Sequence, residues 1–384
     1  MSSPAIQAKT LENLPERIKI DTLEITGFRG IKHAKIELRD INVLIGANGA
    51  GKSNILLSVY LLSERNHSSF RQFFNGLGGN DSLFYGGVKL NSKIKIKITL
   101  ADKKKLTHAT QIDYISGGQV EISQISNAES KSGQKLTLFN FDDQKQEIYS
   151  PVRDTATVNI LVEHSKKISE LFGNLGIYKF CDTSPMSPIR QPSLINDNVN
   201  LRGMGENLSA WIYLFSIKQP KQFSFFQSLV RRVVPRFDCF VLRPDPFNEN
   251  QIRLEYRNLG QDLLLSAAHL SDGSLRFIAL AVLLLFNPPP LIIIDEPELG
   301  LHPTALQLIA DLIRQASFES QIIVATQSVD FLNQFEPHQI LVVEREEDSE
   351  ETLVKRLDAT ELEGWLEDYS VGDLWLKNVL GGKP

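Results

Sequence analysis

Residues 46–53 read Gly-Ala-Asn-Gly-Ala-Gly-Lys-Ser, and this stretch decides the fold class of the 384-residue chain. An apolar run at residues 41–45 precedes it, and residues 54–62 follow it with helical periodicity. A glycine-rich loop between a buried strand and a helix lets successive backbone N–H groups converge on phosphate oxygens. The positive end of the helix dipole adds to that attraction. The stretch therefore predicts a P-loop that holds nucleotide phosphates.

Two side chains of this loop have specific roles in the prediction. Lys52 is expected to reach the β- and γ-phosphates of ATP, and Ser53 is expected to supply a hydroxyl group to Mg²⁺. ATP and Mg²⁺ are therefore the expected ligand and cofactor. The other residues expected to contact the nucleotide come from the loop and the start of the helix: Gly46, Ala47, Asn48, Gly49, Ala50, Gly51 and Asn54.

A second element lies at residues 291–296, which read Leu-Ile-Ile-Ile-Asp-Glu. Four apolar residues predict a buried strand that ends in two carboxylates. Asp295 is expected to hold Mg²⁺, directly or through water. Glu296 is expected to orient and polarise the attacking water, because phosphoryl transfer depends on positioning and charge stabilisation. Glu296 and Lys52 are the first two members of the predicted catalytic set.

The third member of that set is Gln327, at the end of another predicted buried strand. Residues 322–328 read Ile-Ile-Val-Ala-Thr-Gln-Ser, so the strand ends in polar side chains. The amide of Gln327 can donate a hydrogen bond to a phosphate oxygen but cannot carry a positive charge. We expect it to contact the γ-phosphate.

Residues 270–276, Leu-Ser-Asp-Gly-Ser-Leu-Arg, open an apolar helix just before the strand that ends in Asp295. Ser271 and Gly273 would present the N-terminus of this helix to a phosphate, as an ABC-type signature motif does. The alternative is a plain helix N-cap, with Ser271 as the capping residue. The position upstream of Asp295 favours the signature.

The loop at residues 297–303, Pro-Glu-Leu-Gly-Leu-His-Pro, follows the two carboxylates and occupies the place of a D-loop. His302 in this loop could be a metal ligand or a structural residue. No second ligand lies at a usable spacing, so the structural role is favoured.

Composition limits the class of protein. The chain is 42% hydrophobic and 23% charged, with a net charge of −5, so it does not resemble a protein that coats nucleic acid with its whole surface. Its two cysteines, Cys181 and Cys239, form no CxxC pattern. The first 16 residues lack an apolar signal core, and the apolar run at residues 277–286 is about half the ~20 residues of a membrane span. We expect a cytoplasmic protein with no membrane partner, and a buried core helix at residues 277–286.

The order of the patterns predicts an α/β fold with an antiparallel β subdomain and an inserted helical subdomain, and its motifs resemble those of a single ABC-type ATPase head over residues 1–384. No internal repeat and no sustained heptad is present, so a long coiled coil is not expected. The expected parts are N-terminal strands, P-loop and first helix at 16–62, a β meander at 89–150, a helical insertion at 151–235, the signature-to-switch region at 236–345, and a helical tail at 346–384.

Together these motifs resemble the RecF/SMC/OLD-like branch of the ABC ATPases, and within it the compact bacterial AAA-annotated group without a coiled coil. The matching stretches are residues 25–30 (Ile-Thr-Gly-Phe-Arg-Gly), 178–184, 270–276, 295–303, 325–328 and 375–384. The resemblance implies a dimer that encloses two ATP molecules, with Ser271 and Gly273 acting in trans. It also places Arg29 near the nucleotide. The glutamine of the usual Q-loop is not evident, although Gln72 is a candidate.

The sequence differs from parts of the wider family, and these differences disfavour a nuclease and a transporter subunit. OLD-type nucleases continue into a Toprim domain, and residues 329–384 are too few for one. The acidic run at residues 344–351 is therefore expected to be a solvated loop rather than a metal site. The Phe-Arg-Gly opening and the 297–303 loop also disfavour an ABC transporter subunit.

Two functions fit this resemblance. In the first, the chain hydrolyses ATP, dimerises around two ATP molecules, and acts as a nucleotide-gated switch or scaffold for a separate effector, such as a Toprim-like or nuclease protein in anti-phage defence. The alternative is a RecF-like ATPase that binds DNA in repair or recombination. The negative net charge and the absence of a coiled coil favour the first. Basic candidates for DNA contact are Lys93, Lys95 and Lys97, and Arg231, Arg232 and Arg236.

Overall fold

A computed structural model describes residues 17–63, 81–102, 106–115, 120–129, 135–142, 145–149, 155–173, 175–346 and 349–382. Gln72 lies outside the described residues. Two larger sheets dominate the described part, and helix α1 (Lys52–Leu61) lies between them, because it contacts strands of both. Seven buried residues along α1, including Ile55, Leu56 and Val59, fill this space.

The sheet that carries the predicted motifs is mostly parallel. Its strands, in spatial order, are β19 (Thr352–Arg356), β18 (Ile340–Arg345), β3 (Ile41–Ile45), β17 (Gln321–Ala325), β16 (Leu291–Asp295) and β9 (Ile177–Tyr178). Neighbouring strands pair in parallel, except for the antiparallel pair of β18 and β19. All residues of β3, β16 and β17 are buried, as continuous apolar runs predict for a sheet covered on both faces.

The other large sheet is antiparallel. It consists of β2 (Ile31–Glu37), β1 (Ile20–Phe28), β4 (Lys93–Leu100), β5 (Thr107–Tyr114), β6 (Val120–Glu129), β7 (Lys135–Asp142) and β8 (Lys145–Tyr149). Strands β4 to β8 pair consecutively, so they form the meander expected at residues 89–150. Residues along β4 alternate between buried isoleucine and partly exposed lysine, which gives the sheet one face toward the core.

Helix α2 (Thr155–Phe172) contacts the antiparallel sheet. The following helices pack in the core on the face of the parallel sheet opposite α1: α3 (Leu208–Lys218), α4 (Pro220–Val233), α5 (Asp272–Leu285), α6 (Pro303–Ala316), α7 (Val329–Leu332), α8 (Glu363–Leu366) and α9 (Val371–Leu376). Eleven residues of α5 are buried, so the prediction of a buried core helix is confirmed. None of the described helices is long and apolar enough to span a membrane.

Small strands complete the described part. They form two three-stranded sheets, β10 (Ser193–Leu194) with β13 (Asn248–Ile252) and β12 (Pro244–Asp245), and β11 (Phe237–Val241) with β14 (Glu255–Asn258) and β15 (Leu264–Ser266).

Two segments differ from the expected boundaries. Residues 151–235 are not purely helical, because Ile177 and Tyr178 pair with β16 and so belong to the parallel sheet. The tail at 346–384 is likewise not purely helical, since β19 closes the opposite edge of that sheet. Short strands at a sheet edge carry too few residues for a visible alternation, so the sequence pattern does not reveal them.

The acidic segment at residues 344–351 joins β18 to β19, where described. Arg345 Nη2 lies 2.9 Å from Glu350 Oε2, and both side chains are at least half exposed. The segment therefore has the character of a solvated turn, as expected. Residues 347 and 348 lie outside the described part.

An aromatic cluster joins α3, α4 and the end of α5. The rings of Phe215 and Phe286 stack with centroids 4.8 Å apart, and Phe215 also contacts Phe226 at 5.7 Å. All three side chains are fully buried.

Phe215→Ala is expected to lower the free energy of unfolding by about 3–5 kcal/mol, because it leaves a cavity in this cluster. Urea unfolding followed by circular dichroism would measure the change. Phe247→Ala is the matched control, since Phe247 is fully exposed, and it should change stability by less than about 0.5 kcal/mol. Equal stability of Phe215→Ala and the unmodified protein would contradict the packing described.

Candidate functional site

Two glycines of the P-loop, Gly46 and Gly51, lie where a side chain would clash with neighbouring strands. A Cβ on Gly46 would lie 2.1 Å from the carbonyl oxygen of Val343 in β18, and one on Gly51 would lie 2.6 Å from Thr352 Oγ1 in β19. Gly51 also has a φ of +114°, in the region that favours glycine. The Thr352 hydroxyl donates a hydrogen bond to the Ala50 carbonyl at 3.1 Å. Strands β18 and β19, which come much later in the sequence, therefore pack directly against the loop.

Lys52 begins helix α1 and folds back over the loop. Its Nζ donates hydrogen bonds to the carbonyl oxygens of Gly46 at 2.7 Å and Ala47 at 2.9 Å. Only 6% of the residue is exposed. Burial lowers the pKa of Lys52, and the nearby Glu296, Asp295 and Glu298 carboxylates act in the opposite direction. The two predicted carboxylates and Lys52 are thus within electrostatic range of each other.

The carboxylates meet the loop because β3, β17 and β16 are parallel neighbours, so their carboxyl ends share one edge. Asp295 is the last residue of β16 and is 8% exposed. Glu296 follows with a φ of +52°, a conformation uncommon for a residue with a side chain. Its backbone N–H donates to the Ala325 carbonyl oxygen at 2.8 Å, which fixes this turn against β17.

The side chains of Gln327 and Glu296 are joined by a hydrogen bond. The Gln327 Nε2 group donates to Glu296 Oε1 at 2.9 Å. The residue predicted to contact the γ-phosphate therefore also orients the residue predicted to polarise water. Their roles in catalysis remain predictions, but the structure brings Glu296, Gln327 and Lys52 to the same edge of the sheet.

Glu298 is a member of this edge that the sequence analysis did not assign. Its Oε1 atom accepts hydrogen bonds from Thr326 Oγ1 at 2.7 Å and from the Gln327 backbone N–H at 2.9 Å. Burial raises the pKa of Glu298, although these hydrogen bonds oppose that change. The residue ties the 297–303 loop to the end of β17. Its position two residues after Glu296 was the only signal in the sequence.

Lys179 was also missed. It follows β9, the edge strand beside β16, and its Nζ lies 2.8 Å from Asp295 Oδ2. This hydrogen bond to Asp295 raises the pKa of Lys179. Nothing in the sequence pairs the two residues, which are 116 positions apart.

Arg29 lies beside the first turn of α1. Its Nη1 donates to Asn54 Oδ1 at 3.0 Å, and burial lowers the pKa of the guanidinium. The structure thus brings together Arg29 and Asn54, two predicted nucleotide contacts.

Ser271 caps helix α5. Its hydroxyl accepts a hydrogen bond from the Ser274 backbone N–H at 3.2 Å, and the two hydroxyl oxygens are 2.8 Å apart. Gly273 lies in the first turn, where an added Cβ would be 2.1 Å from the Gly300 carbonyl oxygen. The first turn of α5 therefore packs on the 297–303 loop of its own chain. The N-cap role is present, and the signature role remains a prediction.

Arg276 joins three segments around this helix. It donates to the carbonyl oxygens of Phe180 at 2.7 Å, Cys181 at 2.6 Å and Leu299 at 2.7 Å. The start of α5, the segment after β9 and the 297–303 loop are therefore held as one unit.

His302 has a structural role in the same loop. Its Nδ1 accepts a hydrogen bond from the Thr304 backbone N–H at 3.3 Å and so caps helix α6. Across the described ranges, no group of three or more His, Cys, Asp or Glu side chains could hold a metal ion. Cys181 and Cys239 are both free thiols.

The donors predicted for Mg²⁺ suit that ion. Ser53, at the start of α1, is exposed and offers a hydroxyl oxygen, and Asp295 offers a carboxylate. Mg²⁺ binds few protein ligands of this oxygen type and keeps the remaining positions for water and substrate phosphates. Two protein oxygens beside a P-loop therefore fit a nucleotide-bound magnesium ion rather than a closed metal site.

Solved structures share this architecture. A crystal structure of the Smc head bound to the C-winged helix domain of ScpA matches with a TM-score of 0.55 and 19% identity, over 89% of this chain and 99% of that one. An Smc head with an extended coiled coil, bound to the C-terminal domain of ScpA derived from Pyrococcus furiosus, matches with a TM-score of 0.53 and 18% identity, over 91% and 99%. These likenesses show the fold.

Comparison with known sequences indicates the reaction that the chain catalyses. Residues 18–178 match the family described as "AAA ATPase domain", and residues 187–333 match "AAA domain, putative AbiEii toxin, Type IV TA system". The chain is an ATPase, and its fold is similar to that of Smc heads. A Helicobacter pylori (strain ATCC 700392 / 26695) protein described as an ATP/GTP phosphatase is 22% identical over 306 residues, or 76% of this ATPase and 79% of that protein. ATP hydrolysis is the reaction of this ATPase.

Lys52→Ala is expected to weaken ATP binding to the ATPase by at least about 100-fold, because it removes charge-assisted hydrogen bonds to the phosphates. Titration with a fluorescent ATP analogue would measure the loss. Lys355→Ala is a suitable control, since Lys355 is an exposed lysine paired with Glu361. If the alanine at position 52 leaves the affinity unchanged, the P-loop does not hold the phosphates as predicted.

Proposed function

We propose that two copies of this ATPase enclose two ATP molecules, each between the P-loop of one copy and Ser271 and Gly273 of the other. The observation that carries this proposal is the packing of Gly273 on Gly300, which joins the start of α5 to the 297–303 loop rather than to the P-loop. The hydrogen bonds of Ser271 are likewise local, to Ser274. A helix N-terminus attracts a phosphate, and the proposal takes that phosphate from the nucleotide of the second copy. The likeness in fold to Smc heads supports the arrangement.

Hydrolysis in this proposal depends on Glu296. Its carboxylate polarises the attacking water, and Gln327 holds it in place through the 2.9 Å hydrogen bond. Lys52 binds the β- and γ-phosphates and stabilises the charge that develops on them. Ser53 and Asp295 would hold Mg²⁺, which supplies positive charge at the terminal phosphates.

The same contacts provide a route from the nucleotide to the proposed dimer surface. Glu298 links Gln327 to the 297–303 loop, and Arg276 links that loop to the start of α5. A change at Gln327 on loss of the γ-phosphate would therefore move the loop and the signature residues together. Such a coupled unit suits a nucleotide-gated switch.

The partner of the switch is proposed to be a separate protein effector, Toprim-like or nuclease. The Smc heads of similar fold were solved bound to domains of ScpA, which supports partner binding by heads of this kind. The description of one matching family as "AAA domain, putative AbiEii toxin, Type IV TA system" supports a role beside a toxin–antitoxin partner, and we place that role in defence against phage.

DNA binding is the second candidate, and two observations weaken it. Lys93 pairs with Asp113 at 3.2 Å and Lys97 pairs with Glu24 at 3.3 Å, so the lysines of β4 do not form a stripe of uncompensated charge. The net charge of the chain is −5. Duplex binding measured with ATP against salt concentration would decide, because the slope reports phosphate contacts. Absence of binding at low salt would reject the DNA function.

Mixing two inactive variants tests the shared site. Lys52→Ala keeps the signature and loses the P-loop contact, whereas Ser271→Arg keeps the P-loop and blocks the signature. Each should lack ATP hydrolysis alone. An equal mixture should recover about a quarter of the activity, since half of the twofold-symmetric dimers are mixed and each has one complete site. A mixture that stays inactive while both variants remain folded would place the whole site within one chain.

Glu296→Gln is expected to lower kcat by about 10²- to 10⁴-fold while ATP still binds, because glutamine cannot polarise water as a carboxylate does. Glutamine retains the oxygen that accepts the hydrogen bond from Gln327. The variant should therefore accumulate as an ATP-bound dimer, visible by light scattering. Glu319→Gln, at an exposed position, is the control. A monomeric, fully active Glu296→Gln protein would reject the assignment.

A further inference from the structure

Lys179 reaches the nucleotide site from an edge strand. Ile177 and Tyr178 of β9 pair in parallel with Ile293 and Ile294 of β16, so Lys179 and Asp295 leave the sheet side by side. The two side chains meet at 2.8 Å, from Nζ to Oδ2. The oxygen that Lys179 contacts therefore belongs to the carboxylate assigned above to Mg²⁺.

The side chains of Lys179 and Asp295 differ in how much room they have to move. The side chain of Asp295 is 8% exposed, whereas that of Lys179 is 40% exposed. The Lys179 backbone N–H donates to the Gly203 carbonyl oxygen at 3.0 Å, and the next residue, Phe180, is held by Arg276. The backbone is thus fixed on both sides, and the long flexible lysine stem is the part that can move.

Two lysines offset the carboxylates at this edge. Lys52 lies within electrostatic range of Asp295, Glu296 and Glu298, and Lys179 lies within range of Asp295 and Glu296. ATP adds further negative charge at the same place. A cation released from Asp295 therefore has a partner available in the terminal phosphate, and a hydrogen bond between an ammonium and a phosphate is among the stronger polar contacts.

We propose that Lys179 is a built-in counter-cation of Asp295, which yields Oδ2 to the magnesium ion of the nucleotide and then binds the γ-phosphate with its released ammonium. Lys179 thereby makes the site respond to the third phosphate, since ADP offers the ammonium no new partner. The inference rests on the proposed role of Asp295 in holding the metal, and does not depend on the proposed dimer or effector.

Binding of Mn²⁺ with ADP or with the non-hydrolysable analogue AMP-PNP tests the proposal, with free Mn²⁺ measured by electron paramagnetic resonance. Lys179→Met should bind Mn²⁺·ADP about fivefold more tightly, because the competing ion pair is gone. Its preference for Mn²⁺·AMP-PNP over Mn²⁺·ADP should fall about tenfold, because the contact with the γ-phosphate is lost. Light scattering of the same samples would show their oligomeric state, and affinities would be compared only between samples of the same state.

Three variants make the outcome decisive. Lys179→Arg retains the charge and should keep the Mn²⁺·ADP affinity of the unmodified protein. Lys167→Met removes a lysine paired with Asp102 outside the site and should change neither quantity. Asp295→Asn should lose Mn²⁺-dependent binding, and retention there would reject the role of Asp295 itself. Unchanged Mn²⁺·ADP affinity or unchanged triphosphate preference in a folded Lys179→Met would overturn the role of Lys179.

Discussion

The parallel pairing of β3, β17, β16 and β9 is the constraint on which the site depends. Parallel strands in register bring their carboxyl ends to one edge, and a polar or phosphate-binding group ends or follows each of these strands. The P-loop follows β3, Gln327 follows β17, Asp295 ends β16, and Lys179 follows β9. Residues from four distant parts of the chain therefore meet without any local sequence signal for their proximity.

The buried strands also explain why this edge can hold so many charges. Each carboxylate has a hydrogen-bond donor, namely Lys179 for Asp295, Gln327 for Glu296, and Thr326 with the Gln327 backbone for Glu298. A charge in a poorly hydrated place is tolerated when it is hydrogen-bonded or paired. The uncommon backbone of Glu296 is held in the same way, by its hydrogen bond to Ala325.

Long-range contacts connect this edge to the rest of the fold. Thr352 supports the P-loop from a strand 302 residues away, and Arg276 joins α5, the segment after β9 and the 297–303 loop. The structure is therefore stiff around the nucleotide site. Stiff units transmit small movements, because packed elements shift as a whole rather than deform.

Much of the fold was predictable because its patterns are local. The glycine loop, the apolar runs that become β3, β16 and β17, and the apolar helix α5 each carry their signal within about ten residues. The meander of β4 to β8 was visible for the same reason. Edge strand β9 was not, since its two residues have a place in the sheet only through β16, which lies far along the chain. Strand β19 was not predicted either, although it pairs with the preceding strand β18.

By itself, the sequence determined which chemistry is present: a phosphate loop, two carboxylates after a buried strand, and a serine that caps a helix. Composition and spacing suffice for this, because those groups act through their own local backbone. Only the tertiary structure decided which of them meet. The ion pair of Lys179 with Asp295 and the hydrogen bond from the Gln327 backbone to Glu298 both result from strand order and register. No local sequence pattern relates the residues that these contacts join.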